Sequence, residues 1–216
     1  TYAAGYNYAR IAIDLALARG GDQVVVKNNK GISYYGGKRE QTAKNTRVKA
    51  RVKAEALREF ITGKERVIVM GHKMADVDSF GAAIGIYRAA SAMKKKVNIV
   101  LNDISVTLRP LYEAFTDDPK YPDDLFVTSH EAEDLADDNT MVVVVDTNKP
   151  KMTECERLLR LTKTIAVLDH HRQSDEVIEN AVLSYIEPYA SSACEMVAEV
   201  LQYIGDDLRL NSMEAN

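Results

Sequence analysis

The sequence predicts an α/β domain built on a parallel sheet, and two observations carry that prediction. From Arg66 onward, apolar strand-like runs alternate with helical patterns, the alternation that yields parallel strands joined by right-handed crossovers. Three of those runs, Arg66–Met70, Val142–Val145 and Ile165–Leu168, end abruptly in acids or imidazoles. In open α/β sheets the carboxyl edge of the strands is where ligands bind. The stretch Gly71-His72-Lys73-Met74-Ala75-Asp76-Val77-Asp78-Ser79 follows the first run and is the centre of the reading.

Taken in order, residues from about Tyr8 to Ala18 place Ile11, Leu15 and Ala18 on one helical face, with Gly20-Gly21 as the stop. Gln23–Lys27 and Ile32–Tyr35 flank the turn-rich Asn28-Asn29-Lys30-Gly31 and predict a hairpin, closed by Gly36-Gly37. One helix and two strands are too few for a core, so this portion is expected to be the end of a preceding domain. A basic helix is expected from Glu40 to Ile61, with Val48, Val52, Ala56 and Phe60 as its apolar stripe and its charges on a solvated face. Gly63-Lys64 marks the next boundary, which divides the chain into 1–40, 41–62 and 63–216.

After Arg66–Met70, a helix beginning near Ser79 sets Phe80, Ile84 and Tyr87 on one face, with Gly81, Ala82 and Gly85 permitting close packing. Lys96–Leu101 reads as a strand, and Asp103–Asp124, with three prolines, as a short helix and loop. Leu125–Val127 reads as a small edge strand. Met141–Val145 and Thr164–Leu168 are strands with a helix from about Thr153 to Leu161 between them. Ala193, Met196, Val197, Val200, Leu201 and Ile204 form a last helical stripe ending at Gly205. Both ends of the chain read as cuts within a longer protein, and Ser212–Asn216 as the opening of another helix.

Bulk properties exclude some functions. The 216 residues are 46% hydrophobic and 28% charged, ordinary for a soluble domain. A net charge of −4 argues against a general nucleic-acid binder and so against double-stranded nucleic acid as partner. No stretch approaches the roughly 20 apolar residues that span a bilayer, and the start has no signal-peptide pattern. Cys155 and Cys194, expected in helices and lacking metal-ligand spacing, read as free thiols of a reducing compartment.

The residues His72, Asp76, Asp78, Asp146 and His170 together suit a metal site. Mixed imidazole and carboxylate donors favour Mn²⁺, Fe²⁺ or Zn²⁺ over Ca²⁺. Five donors exceed one open catalytic site but suit two ions sharing a carboxylate. Two ions about 3.5–4 Å apart can hold a bridging hydroxide and stabilise both oxygens of a displacement at phosphorus. Hydrolysis of a phosphate ester or anhydride is the chemistry served. Taken singly, Asp76 and Asp78 read as helix caps with Ser79, and Asp146 as a strand-end cap. His130, in a polar Ser-His-Glu setting, reads as a surface residue.

Gly71–Ser79, Asp146-Thr147 and Asp169-His170-His171 resemble, in that order, the motifs of DHH-type phosphoesterases. The resemblance covers about residues 63–216. It implies one metal held by His72, Asp76 and Asp146, and another by Asp78, Asp146 and His170, with two Mn²⁺ per complete site. It also implies a catalytic, substrate-facing or supporting role for His171 and an orienting role for Asp169. Leu17–Lys27 and Tyr35–Lys38 resemble the tail of a degenerate GGDEF domain. That tail joined to a DHH domain resembles the membrane-anchored cyclic di-AMP phosphodiesterases. The linkage implies hydrolysis of cyclic di-AMP to linear 5′-phosphoadenylyl-adenosine. It further implies an anchor preceding Thr1, a place at the cytoplasmic face of the membrane, a soluble character for this stretch, and a homodimer. The family's last metal-binding Asp would fall about ten residues beyond Asn216, followed by a Gly-rich domain, so this span alone is expected to be inactive or impaired. An oligoribonuclease, a pyrophosphatase and a nucleotide-sensing module that does not cleave are the rival readings.

Overall fold

The computed structural model describes residues 2–17, 23–29, 31–36, 39–173, 175–205 and 208–215. They divide into two compact units, Thr1–Lys49 and Ala50–Asn216. In the first, helix α1 (Tyr2–Leu17) precedes β1 (Gln23–Asn28) and β2 (Gly31–Gly36), which pair antiparallel as expected. Tyr8 Oη donates to Asn29 Oδ1 at 2.8 Å, which ties α1 to the turn. Gly31 closes that turn at a φ of 143°, a conformation open to glycine. The Gly20-Gly21-Asp22 and Gly37-Lys38 parts of the expected GGDEF tail lie outside the described residues.

Helix α2 (Arg39–Thr62) runs across the division. Within the second unit its buried positions are Ala50, Ala54, Leu57 and Ile61, each at most 1% exposed. The expected stripe is therefore corrected. Val48 and Val52 are 61% and 57% exposed, while Ala56 and Phe60 pack only at the margin. Small alanines let the helix backbone approach the core closely, and that outweighs the hydrophobicity of the neighbouring valine ridge.

The remaining elements are β3 (Arg66–Met70), α3 (Val77–Ala92), β4 (Lys96–Val100), α4 (Arg109–Thr116), β5 (Phe126–Val127), α5 (Ser129–Leu135) and β6 (Thr140–Val145). They continue with α6 (Leu158–Leu161), β7 (Thr164–Asp169), β8 (Leu183–Ile186), α7 (Ala193–Ile204) and α8 (Ser212–Ala215). Six parallel strands form one sheet in the order β5-β4-β3-β6-β7-β8. The strands' period-2 alternation fills two cores. Val67, Val69, Val143, Val145, Ala166 and Leu168 face α2, α3 and α7. Ile68, Met70, Val142, Val144, Ile165 and Val167 face Ala132 and Leu158 from the α5 and α6 side. Strands buried on both faces read as unbroken apolar runs, which is why these were legible.

The chain leaves β3 toward β4 and β5, then returns to place β6 on the other side of β3. That reversal opens a crevice between the carboxyl ends of β3 and β6. Two details shape it. The helix expected from Thr153 to Leu161 is only α6, preceded by a 3₁₀ turn at Pro150–Met152. Lys73 N donates to Met152 O at 2.7 Å and Glu154 N to Gly71 O at 3.0 Å, so this segment pairs with the chain leaving β3 instead of coiling. Cys155 thus lies ahead of α6, not within a helix. In addition, a Cβ at Gly71 would stand 1.8 Å from Ser79 Oγ and 3.2 Å from Ser79 Cβ, so any larger residue there would have to push the Ser79 side chain aside at the first turn of α3.

The buried register of α2 has a measurable consequence. Leu57→Ala should cost about 2–5 kcal/mol in urea unfolding, as loss of a fully buried leucine does, whereas Val52→Ala should fall within about 0.5 kcal/mol. Equal effects would contradict the assigned buried face.

Candidate metal centre

The site is built on the end of β6. Asp146 directly follows the strand at a φ of 57°, in the left-handed region that an aspartate tolerates better than most residues. Its amide donates to Leu168 O at 3.0 Å, so the last ladder bond with β7 fixes the turn. The carboxylate that results is only 2% exposed, and its Oδ1 has no hydrogen-bond partner among the described residues.

Two imidazoles approach that carboxylate from adjoining strands. His72 Nε2 lies 3.4 Å from Asp146 Oδ2 and 3.7 Å from Asp76 Oδ1. His170 Nε2, from the end of β7, lies 3.4 Å from Asp146 Oδ1 and 3.5 Å from Asp78 Oδ2. Two sets follow, His72 with Asp76 and Asp146, and Asp146 with His170 and His171, each with its donor atoms within 4.8 Å of one another. Asp146 belongs to both. A buried carboxylate oxygen without a hydrogen-bond partner, set among imidazoles, fits a divalent cation of the kind that takes mixed nitrogen and oxygen donors.

The acids have second duties. Asp76 caps α3, its Oδ1 accepting from Ser79 N at 2.9 Å. Asp78 binds the start of α7, where Ala193 N and Cys194 N each donate to one of its oxygens at 2.8 Å. A helix N-terminus favours a carboxylate there. Asp78 stands beside the second set through His170, and His171 completes that set. Asp169 is fully buried. Its Oδ1 is 2.8 Å from His171 Nδ1, and its Oδ2 accepts from Asn148 Nδ2 at 2.6 Å. His130 stands apart on α5, paired with Asp134 at 3.3 Å.

A cleft of about 670 Å³ holds all five candidate ligands and His171, with Thr147, Asn148, Met152 and three cations, Lys73, Lys149 and Arg172. Asn148 and the cations escaped the sequence reading. Their signal was present, since each cation follows a candidate ligand by one to three residues. Cys194, whose Sγ–H donates to Asp78 O at 3.2 Å, has its thiol pushed up to about 12 by burial and then by Asp78, so it stays protonated.

Without metal, the His72 imidazole is raised from 6.5 to about 9, chiefly by its hydrogen bond to Asp146, with Lys73 O and the charges of Asp146 and Asp76 adding and burial opposing. A raised folded-state pKa contributes stability that is complete below 6.5 and lost as pH rises through about 9. In EDTA, the stability advantage of the chain over its His72→Gln variant should therefore shrink between those pH values in urea titrations. An advantage constant with pH would show that the His72–Asp146 contact does not form.

The chain is 44% identical over 214 residues to the cyclic-di-AMP phosphodiesterase GdpP of Bacillus subtilis, covering 97% of this chain and 32% of the relative. It is 39% identical over 212 residues to the cyclic-di-AMP phosphodiesterase PdeA of Listeria monocytogenes, with the same coverage. The chain thus spans about a third of the length of these relatives. Among solved structures, an exopolyphosphatase-related protein from Bacteroides fragilis shares the fold, with a TM-score of 0.58 at 16% identity over 71% of this chain and 44% of that one. Residues 66–215 match the DHH family, N-terminal domain. The chain belongs to the DHH family.

Proposed function

We propose that this chain carries the metal-binding half of a phosphodiesterase that hydrolyses cyclic di-AMP to linear 5′-phosphoadenylyl-adenosine. The observation that carries the proposal is Asp146, whose two carboxylate oxygens each face a histidine from a different neighbouring strand at 3.4 Å. The printed activity of the GdpP and PdeA relatives supports the choice of substrate.

In this reading His72, Asp76 and Asp146 hold one ion, and Asp78, Asp146 and His170 hold a second, both Mn²⁺. Bound there, the ions act as Lewis acids toward water and the phosphoryl oxygens. Asp146 offsets the charge of both. Asp169, gripped by Asn148, fixes the His171 ring through Nδ1, which leaves Nε2 free to meet the substrate phosphate or its leaving oxygen. Asp78 couples the second ion's position to the start of α7. Residues 1–40 are read as the end of a degenerate GGDEF domain and 41–62 as the linker, in a protein anchored to the membrane through its preceding portion and acting as a homodimer. Among the described residues no helix is long and apolar enough to cross a membrane.

The test uses the full-length protein that contains this chain, with Mn²⁺ and cyclic di-AMP. Asp146→Asn keeps the side chain's size but removes the charge shared between the two sets. It should slow formation of linear dinucleotide on the order of 10³-fold or more, the scale of losing a principal electrostatic element. His130→Ala should stay within about twofold, as changes away from a site do. Near-normal turnover by Asp146→Asn would refute the shared-carboxylate mechanism.

A further inference from the structure

Each of the three strand-end loops at the site pairs a candidate ligand with a cation: His72 with Lys73 after β3, Asp146 with Lys149 after β6, and His170 with Arg172 after β7. All three cations line the cleft. Lys73 is committed elsewhere, its Nζ donating to Lys151 O at 2.9 Å. Lys149 and Arg172 are exposed and make no side-chain hydrogen bond or ion pair among the described residues. Other surface cations nearby do find carboxylates, such as Lys151 with Glu176 at 3.0 Å and Arg157 with Glu133 at 2.9 Å.

Among the described residues, no acid of the site pairs with either cation. Asp78 is engaged by the amides of α7, Asp169 by Asn148 and His171, and Asp146 is buried at 2% exposure. The cleft therefore has an acidic floor, buried at Asp146 and exposed at Asp76, that suits metal ions, and an exposed cationic rim that no described residue neutralises. Its 670 Å³ falls in the range of small-molecule sites, roughly 300–1,000 Å³, and far exceeds one phosphate group. A ligand that reaches from floor to rim satisfies both ends if it is anionic at both ends.

We propose that Lys149 and Arg172 form an anion subsite for the second phosphate of a two-phosphate substrate, the one not undergoing hydrolysis. The inference rests on the phosphodiesterase reading, in which the scissile phosphate lies at Asp146. Arg172 presents a planar fork that matches two phosphate oxygens, and Lys149 adds a compact charge. The rim thereby selects dinucleotides with two phosphates over esters with one.

The test compares two ligands with the same bases, cyclic di-AMP with two phosphates and adenylyl-adenosine with one. Binding to the full-length protein that contains this chain is measured by calorimetry with Mn²⁺ present, at a temperature and over an interval in which chromatography shows the ligand intact. Replacing both cations (Lys149→Gln with Arg172→Gln) should raise the Kd for cyclic di-AMP about tenfold or more, as loss of charge-assisted phosphate contacts does, and that for adenylyl-adenosine by less than about threefold. Arg172→Lys alone should retain part of the discrimination. Equal weakening of both ligands would place the cations at the scissile phosphate and overturn the subsite, and so would no weakening of either. Mn²⁺ titration separates the two ideas. The double variant should keep the Mn²⁺ affinity and Asp146→Asn should lose it. An Asp146→Asn variant that binds Mn²⁺ normally would sink the underlying reading whatever the rim does.

Discussion

The turn at Asp146 sets the geometry on which the rest of the site depends. A non-glycine residue at a φ of 57° is strained by about 1–2 kcal/mol, and burying its carboxylate costs more. The conformation persists because β6 is paired on both sides, with β3 and β7, and the Asp146 amide completes the ladder to Leu168. The positive φ turns the chain away from the strand direction and sets the carboxylate between the ends of β3 and β7. The two histidines nearest it come from those flanking strands, so strand order itself delivers the donor set. Strain held in place at such a point has a functional explanation when the group it aims is left with a bare buried oxygen.

Two of the proposed metal ligands, Asp76 and Asp78, also bind helix N-termini. Asp76 caps α3 and faces His72, and Asp78 binds the first amides of α7 and faces His170. A carboxylate offers about four lone-pair directions, so one or two amide bonds leave room for a further partner. Capping fixes each carboxylate's orientation before any ion arrives, which reduces the entropy lost on binding. The same bonds make the site sensitive to α3 and α7. A shift of α7 along its axis would move Asp78 directly.

Much of this was legible in the residues, and the exceptions have physical causes. Strands buried on both faces appear as uninterrupted valine and isoleucine runs, and the acids and imidazoles that follow them announce the sheet edge. The stripe on α2 was misplaced by one ridge because valines look more buried than alanines, yet close helix packing prefers the small Ala50 and Ala54. The segment before α6 has helical composition, but its pairing with the residues after Gly71 is a long-range contact that no local pattern records. Strand β8 and helix α5 are short, and their cues, a four-residue alternation and the Thr128–Glu131 capping box, are easily lost in polar surroundings. Asn148 was passed over because its partner Asp169 lies 21 residues away. The cations beside each ligand were visible as letters but acquire meaning only once one cleft is seen to hold them.

In the proposed site the single carboxylate of Asp146 serves two ions. Crystals of the full-length protein that contains this chain, soaked in Mn²⁺ and measured at the manganese absorption edge, distinguish the outcomes. Two anomalous peaks are expected about 3.5–4 Å apart, the spacing of two-metal sites, with an oxygen of Asp146 reaching each and His72 and His170 on opposite sides. A single peak, or two peaks of which only one touches Asp146, would contradict the shared carboxylate.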